Sequence, residues 1–275
     1  MILAADLDDT LIFSGRRLTA AAVPFAGAVA VEHREGLPVA YMTAPALAAL
    51  RELQRRAVFV LSTLRGEEQA RRVVFVRDGS CRYLCCQNGL YIYRDGVADA
   101  EWAERVARTV AALPLTLEAA AGRALELPGV LCQSRRYEHL AVFFVEPAAF
   151  AAPPYLALRR ELALRGWQLQ RQRRKLYLMP LAVDKGQALR RIREREGGEA
   201  AGLGDSYFDW PLLAECRRRF APAGSALAAA GTGAADDEFP AGESLPAGIE
   251  FSSRPFLAGT EELLDKMLIN IVISD

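Results

Sequence analysis

Both ends of this chain alternate short apolar runs with longer segments of helical periodicity, and that alternation constrains the fold more than any other feature. "ILAA" and "AVFVLST" read as buried strands, and "AAGLGDS" as the end of another. Helical spacing follows in "APALAALRELQRR", which Thr43 can N-cap, and recurs in "DKGQALRRIRERE" and "DWPLLAECRR". The last helix is expected over "GTEELLDKMLINIV", with Thr260 as its N-cap. Strands that alternate with helices in this way predict a doubly wound α/β core built on a parallel sheet.

The middle of the chain breaks the pattern. "YLCCQNGLYIYRDG" reads as two strands around an Asn-Gly turn, and "LAVFFVE" and "WQLQRQRRKLYLMP" add further strands among two helices. Residues 81–181 are therefore expected to form an inserted α+β module, with the core assembled from 1–80 and 182–275. Near the start, "GAVAVEHREGLPVAYMT" alternates around "REG" as a β-hairpin does. The Ala-, Gly- and Pro-rich stretch 221–248 is expected to be loop with a short strand or two.

The length of 275 residues suits one large domain or two smaller ones. With 52% hydrophobic and 25% charged residues, the composition is that of a globular protein. Formal net charge is zero, so no global field recruits nucleic acid or an acidic membrane. Five cysteines in no disulfide or zinc-like spacing point to buried thiols and a cytoplasmic setting. With an acidic cluster after only five residues no signal peptide is expected, and no apolar stretch is long enough to span a bilayer.

Four polar patches stand at predicted strand or helix ends. In "DLDDT", Asp6 and Asp8 are two apart and are expected to share a face, with Asp9 turned away to serve the turn. A carboxylate pair at the carboxyl edge of a parallel sheet suits a hard cation such as magnesium, and equally a solvated turn. "LSTLR" ends a strand in hydroxyls and a cation: Thr63 could donate to a phosphate or cap the next helix. Lys185 in "DKGQAL" opens a helix, where a cation is unfavourable unless an anion is near. Only Lys175, Lys185 and Lys266 are lysines among 34 basic residues, which hints at a task arginine would not perform. "GDSYFD" brings Asp205 and Asp209 after a strand.

Taken in order, these four patches resemble the motifs of the haloacid dehalogenase superfamily of phosphohydrolases. The resemblance implies a Rossmann-like core with an inserted α+β cap, as in the Cof-like and sucrose-phosphatase-like members, entered near "CCQNGLYIYRDG" and left near "KLYLMPLAVDKG". It implies a magnesium-dependent phosphatase acting on a small phosphorylated metabolite, a sugar phosphate or related monoester, through an aspartyl-phosphate. Asp6 would be the nucleophile and Asp8 the acid/base, while Thr63, Arg65, Asn88 and Lys185 would bind substrate. Asp6, Asp205 and Asp209, with the backbone carbonyl of Asp8, would hold the metal. The cap would select substrate and exclude water on closing. Two positions depart from the family pattern: Leu64 stands where a glycine is usual, and Phe208 where an asparagine often precedes the last aspartate.

A related phosphomutase is the alternative within that fold. A receiver-type signalling domain shares an acidic pair, a hydroxyl and a lysine, but has no counterpart of Asp205 and Asp209 after the lysine. Within the insert, Arg135 and Arg136 and the alternating Arg171, Arg173 and Lys175 could line one face, toward substrate or toward solvent. Trp167 could stack on a sugar or pack in the core.

Overall fold

The computed structural model describes residues 1–231 and 247–274. They divide into two compact units, one of residues 1–99, 184–231 and 247–274, the other of residues 100–183.

The first unit begins with β1 (Ile2–Ala5), β2 (Phe13–Ser14), α1 (Gly15–Ala20) and the hairpin β3 (Ala28–Arg34) and β4 (Leu37–Thr43). Next come α2 (Ala44–Arg56), β5 (Val58–Ser62), α3 (Glu67–Ala70), α4 (Val74–Arg77), β6 (Tyr83–Cys86), β7 (Tyr91–Arg94) and β8 (Val97–Ala98). The second unit holds α5 (Ala100–Ala111), α6 (Leu117–Leu125), β9 (Val130–Arg136), β10 (Ala141–Val145), α7 (Ala152–Leu164), β11 (Trp167–Gln172) and β12 (Lys175–Pro180). The chain then returns to the first unit with α8 (Lys185–Glu196), β13 (Ala200–Leu203), α9 (Trp210–Ala214), β14 (Arg218–Ala223), α10 (Ala226–Gly231), β15 (Ile249–Pro255) and α11 (Phe256–Ser274).

The main sheet runs β15-β14-β13-β1-β5-β6-β7-β8, parallel from β15 to β6 and antiparallel beyond. Thus 83–98, assigned to the insert from sequence, pairs with β5 and extends the core sheet, because β6 continues the parallel ladder at Val60, Leu61 and Ser62. α2 places Ala46, Ala49, Leu50 and Leu53 at helical spacing on one face of that sheet, where they meet Leu263, Leu264 and Met267 of α11. A stripe on α8 runs Lys185, Ala188, Leu189, Ile192, the same i, i+3, i+4, i+7 pattern with a cation at its first position, and all four residues are buried.

β1 lies between β5 and β13, so the carboxyl ends of all three strands open on one edge. The chain leaves β1 for β5 on one side and leaves β13 for β14 on the other, the kind of switch point where open α/β sheets bind ligands.

Unit two packs α6 and α7 on one face of an antiparallel sheet ordered β11-β12-β10-β9. Trp167 is fully buried in this core and its indole N–H donates to the Leu115 carbonyl at 2.8 Å. The expected shared face of Arg171, Arg173 and Lys175 is not formed. Arg173 sits in the β11–β12 turn with φ 54°, Arg171 pairs with Leu176, and Lys175 pairs with Gln172, so Arg171 and Lys175 point to opposite faces. Arg171 instead lies 5.1 Å from the centre of the Phe150 ring.

Two local expectations also change. Thr260 lies inside α11, which starts at Phe256, and its hydroxyl donates to the Thr10 carbonyl at 2.5 Å. The Asn-Gly turn is a tight 3-10 turn over Gln87–Gly89 in which all three residues have positive φ. Gly89 is required there: a Cβ would stand 2.5 Å from the Asp184 carbonyl oxygen. Of the stretch 221–248, expected as loop with a short strand or two, residues 221–223 end β14 and Ala226–Gly231 form α10, while 232–246 lie outside the described residues.

Candidate active site

β1 delivers Asp6 to the sheet edge, where its N–H donates to the Leu203 carbonyl of β13 at 2.9 Å. Asp205 follows β13, and Asp209 follows on a short 3-10 turn. One carboxylate oxygen from each of Asp6, Asp205 and Asp209 lies within 4.8 Å of the others, and all three residues are buried. The Lys185 ammonium enters this cluster from the first turn of α8, 2.5 Å from Asp6 Oδ1 and 2.6 Å from Asp209 Oδ1. The stripe position of Lys185 explains its burial, and the two carboxylates are the anions its place at a helix N-terminus demands.

Asp209 also organises the loop. Its Oδ2 accepts from the N–H groups of Asp205 and Ser206, each at 3.0 Å, and from the Ser206 hydroxyl at 2.9 Å. The preceding residue must be glycine, because a Cβ on Gly204 would stand 2.3 Å from the Asp209 Cβ. The Thr10 hydroxyl reaches Asp205 Oδ1 at 3.4 Å and Thr260 holds the Thr10 carbonyl, so α11 is tied to the acidic edge.

The electrostatics follow from burial. Desolvation and the neighbouring Asp209 charge, partly offset by Lys185, push the Asp6 carboxyl up to about 7. Burial works against the Lys185 ammonium, but the charges of Asp209 and Asp6 prevail and raise its pKa. The Lys185 ammonium pairs with two of these three buried carboxylates, and a divalent cation with a preference for oxygen would offset the negative charge of the cluster.

Asp8 is placed differently. Its side chain is 53% exposed and meets the Arg65 fork, with Nε 2.8 Å from Oδ2 and Nη2 2.7 Å from Oδ1. The expected common face of Asp6 and Asp8 therefore divides: Asp6 turns into the buried cluster and Asp8 turns to Arg65. Asp9 adopts φ 60°, donates its N–H to the Ile12 carbonyl and faces Arg17 at 3.8 Å, as a turn residue does.

Thr63 is buried at the end of β5, where its N–H donates to the Cys85 carbonyl at 2.9 Å and its Oγ1 accepts from the Arg65 N–H at 3.1 Å. Gly66, not Thr63, caps α3. Asn88 is buried in the left-handed region, its N–H donating to the Thr63 carbonyl at 3.0 Å. Thr63 thus joins Arg65, through its hydroxyl, and Asn88, through its carbonyl, into one loop cluster beside β1.

The sequence reading missed Glu32. Its side chain is 3% exposed, and it accepts from Arg65 Nη2 at 2.9 Å and from Arg72 Nε at 3.0 Å. The β3–β4 register shifts on both sides of Glu32, and such a bulge can re-aim a side chain that strand alternation alone would assign to the other face.

No protein-family model matches the sequence, and no curated protein does. Solved structures do match along nearly the whole chain. The sucrose-phosphatase of Synechocystis, solved with sucrose and phosphate, is similar at 16% identity and a TM-score of 0.66, covering 99% of this chain and 98% of that one. A haloacid dehalogenase-like hydrolase from Bacteroides thetaiotaomicron matches at 14% identity and a TM-score of 0.51, over 97% and 98% of the two chains. This chain has the haloacid dehalogenase fold. The C-terminal domain of the trehalose-6-phosphate phosphatase of C. albicans shares that fold with it, at 11% identity and a TM-score of 0.54, over 97% of this chain and 91% of that one. Among the described residues, no helix is long and apolar enough to cross a membrane.

Proposed function

We propose that this haloacid dehalogenase-fold chain is a phosphohydrolase that cleaves a small phosphorylated metabolite, a sugar phosphate or related monoester, through an aspartyl-phosphate on Asp6. The observation that carries this reading is the buried cluster of Asp6, Asp205, Asp209 and Lys185 at the carboxyl ends of β1 and β13. The phosphatases that share the fold support it.

In this reading Asp6 is the nucleophile. Its oxygen attacks phosphorus in line with the departing alkoxide. Asp8 gives a proton to the leaving oxygen and afterwards takes one from water. Lys185 holds phosphate oxygens as charge spreads over them and keeps Asp6 and Asp209 from repelling each other. The Thr63 hydroxyl, whose oxygen already accepts from the Arg65 N–H, donates its hydrogen to the phosphate. Asn88 and Arg65 complete the phosphate-side loop.

The carboxylates fit a magnesium ion: Asp6 and Asp205, with the Asp8 carbonyl, would hold it, and Asp209 would hold the ion or its waters. Bound there, magnesium supplies positive charge to the phosphate oxygens. The inserted module, residues 81–181 by sequence and 100–183 by contact, selects the substrate. The cysteines, all free thiols with four of the five buried, agree with a reducing cytoplasm.

Asp6→Asn tests this directly. With p-nitrophenyl phosphate and magnesium, the variant should lose at least about 10³-fold in kcat, as nucleophile replacements do, while its circular dichroism spectrum stays that of the wild type. Retained turnover would remove Asp6 from the chemistry.

A further inference from the structure

We propose that Glu32 is a positioning residue for Asp8, that it acts through Arg65, and that this chain of charges serves the water-activating half of the reaction. The inference rests on the phosphohydrolase reading above.

Asp8 needs such a device. Its side chain is 53% exposed at a turn, and an exposed carboxylate samples several rotamers unless it is held. The Arg65 fork holds both of its oxygens at 2.7 and 2.8 Å, which fixes the plane and the heading of the carboxylate. Arg65 is itself a long side chain with roughly 2 kcal/mol of rotamer entropy to lose. Two contacts hold it in turn: Nη1 donates to the Gln69 carbonyl at 3.3 Å, and Nη2 donates to Glu32 at 2.9 Å. Glu32 is the fixed end, because its side chain is buried in the bulge of β3 and its other oxygen is held by Arg72 at 3.0 Å.

The pairing pattern points to one half of the reaction. A carboxylate has about four lone-pair sites, and a bidentate guanidinium takes two of them, one on each oxygen. The remaining two can accept a proton. In the second half-reaction Asp8 takes that proton from water, the water oxygen bonds to phosphorus, and the Asp6–phosphorus bond breaks. Asp6 regains its carboxylate and inorganic phosphate leaves. Arg65, with its fork on Asp8 and Glu32, therefore acts as a support for the base as well as a neighbour of the substrate.

The test is pre-steady-state release of p-nitrophenolate from p-nitrophenyl phosphate, with magnesium, by wild type and Glu32→Gln. This leaving group departs without a proton, so the first half-reaction is insensitive to how Asp8 is held. Glu32→Gln should lower steady-state kcat by about tenfold, a part of the roughly 10²–10⁴-fold that a positioned base contributes. Its first-turnover burst should persist, with an amplitude near one product per enzyme. Should Glu32→Gln fail to fold by circular dichroism, Glu32→Asp, which keeps the charge but shortens the reach to Arg65, carries the same expectation. Unchanged kcat, or a burst that slows in step with kcat, would overturn the role of Glu32 while leaving the phosphohydrolase reading intact. A wild type that releases no p-nitrophenolate would defeat that reading and this inference with it.

Discussion

At the residue scale, Lys185 shows how one side chain answers several demands. It completes the apolar stripe of α8, supplies the cation between Asp6 and Asp209, and does so while buried. An arginine is longer and planar, and contacts of 2.5 and 2.6 Å on a fully buried ammonium leave it no place. Lys185→Arg should therefore lower kcat by about 100-fold or more, the scale on which a single donor to the transition state acts. Lys185→Met should instead lower stability by about 3–5 kcal/mol in metal-free buffer, because it leaves buried carboxylates without their counter-charge. Chemical denaturation in the presence of a chelator measures this. A variant as stable as the wild type would mean that the carboxylates are solvated or protonated there.

At the scale of elements, the site is a set of strand and helix ends brought to one edge, and small residues decide how closely they meet. Gly204→Ala would drive a methyl into the Asp209 Cβ, 2.3 Å away. It should cost about 1–3 kcal/mol of stability and most of the activity, since Asp209 ties Lys185 to the Asp205 loop. A melting curve and a turnover assay on the same preparation check both. These ends were legible in the sequence: an apolar run that stops at Asp6, at Thr63 or just before Gly204 marks the carboxyl end of a buried strand, and a charge in that place stands out. The partners of Asp8 were not legible. Strand alternation from "DLDDT" puts Asp6 and Asp8 on one face, but the residues after Ala5 leave the strand, and a period of two no longer applies. Glu32 was hidden for a related reason, because a bulge breaks the alternation that would have marked it as buried or exposed. The turn at Arg173 likewise separated Arg171 from Lys175, two residues that spacing alone would align. That β6 to β8 extend the core sheet was not legible either, because a strand that extends the core sheet and a strand of a separate sheet have the same local pattern.

At the scale of the whole molecule, the buried charge couples folding to metal and to pH. In the fold Asp6 keeps its proton up to about pH 7, whereas its ordinary value is 3.8. Between those values the folded chain binds the proton more tightly than the unfolded one. The contribution of this group to stability is therefore complete below about pH 4 and is lost as pH rises through about 7. A divalent cation binds the ionised carboxylate and displaces that proton. Magnesium should thus raise the melting temperature more at pH 8 than at pH 6. At about 100 times its Kd the gain is about 2.7 kcal/mol. An equal shift at both values would place the ion away from Asp6. The account stands most directly on the covalent role of Asp6. Turnover of p-nitrophenyl phosphate, quenched in acid and reduced with borohydride, converts an aspartyl-phosphate to homoserine, which peptide mass spectrometry locates. Homoserine at position 6 is the predicted result; active turnover with homoserine at another aspartate, or at none, would contradict it.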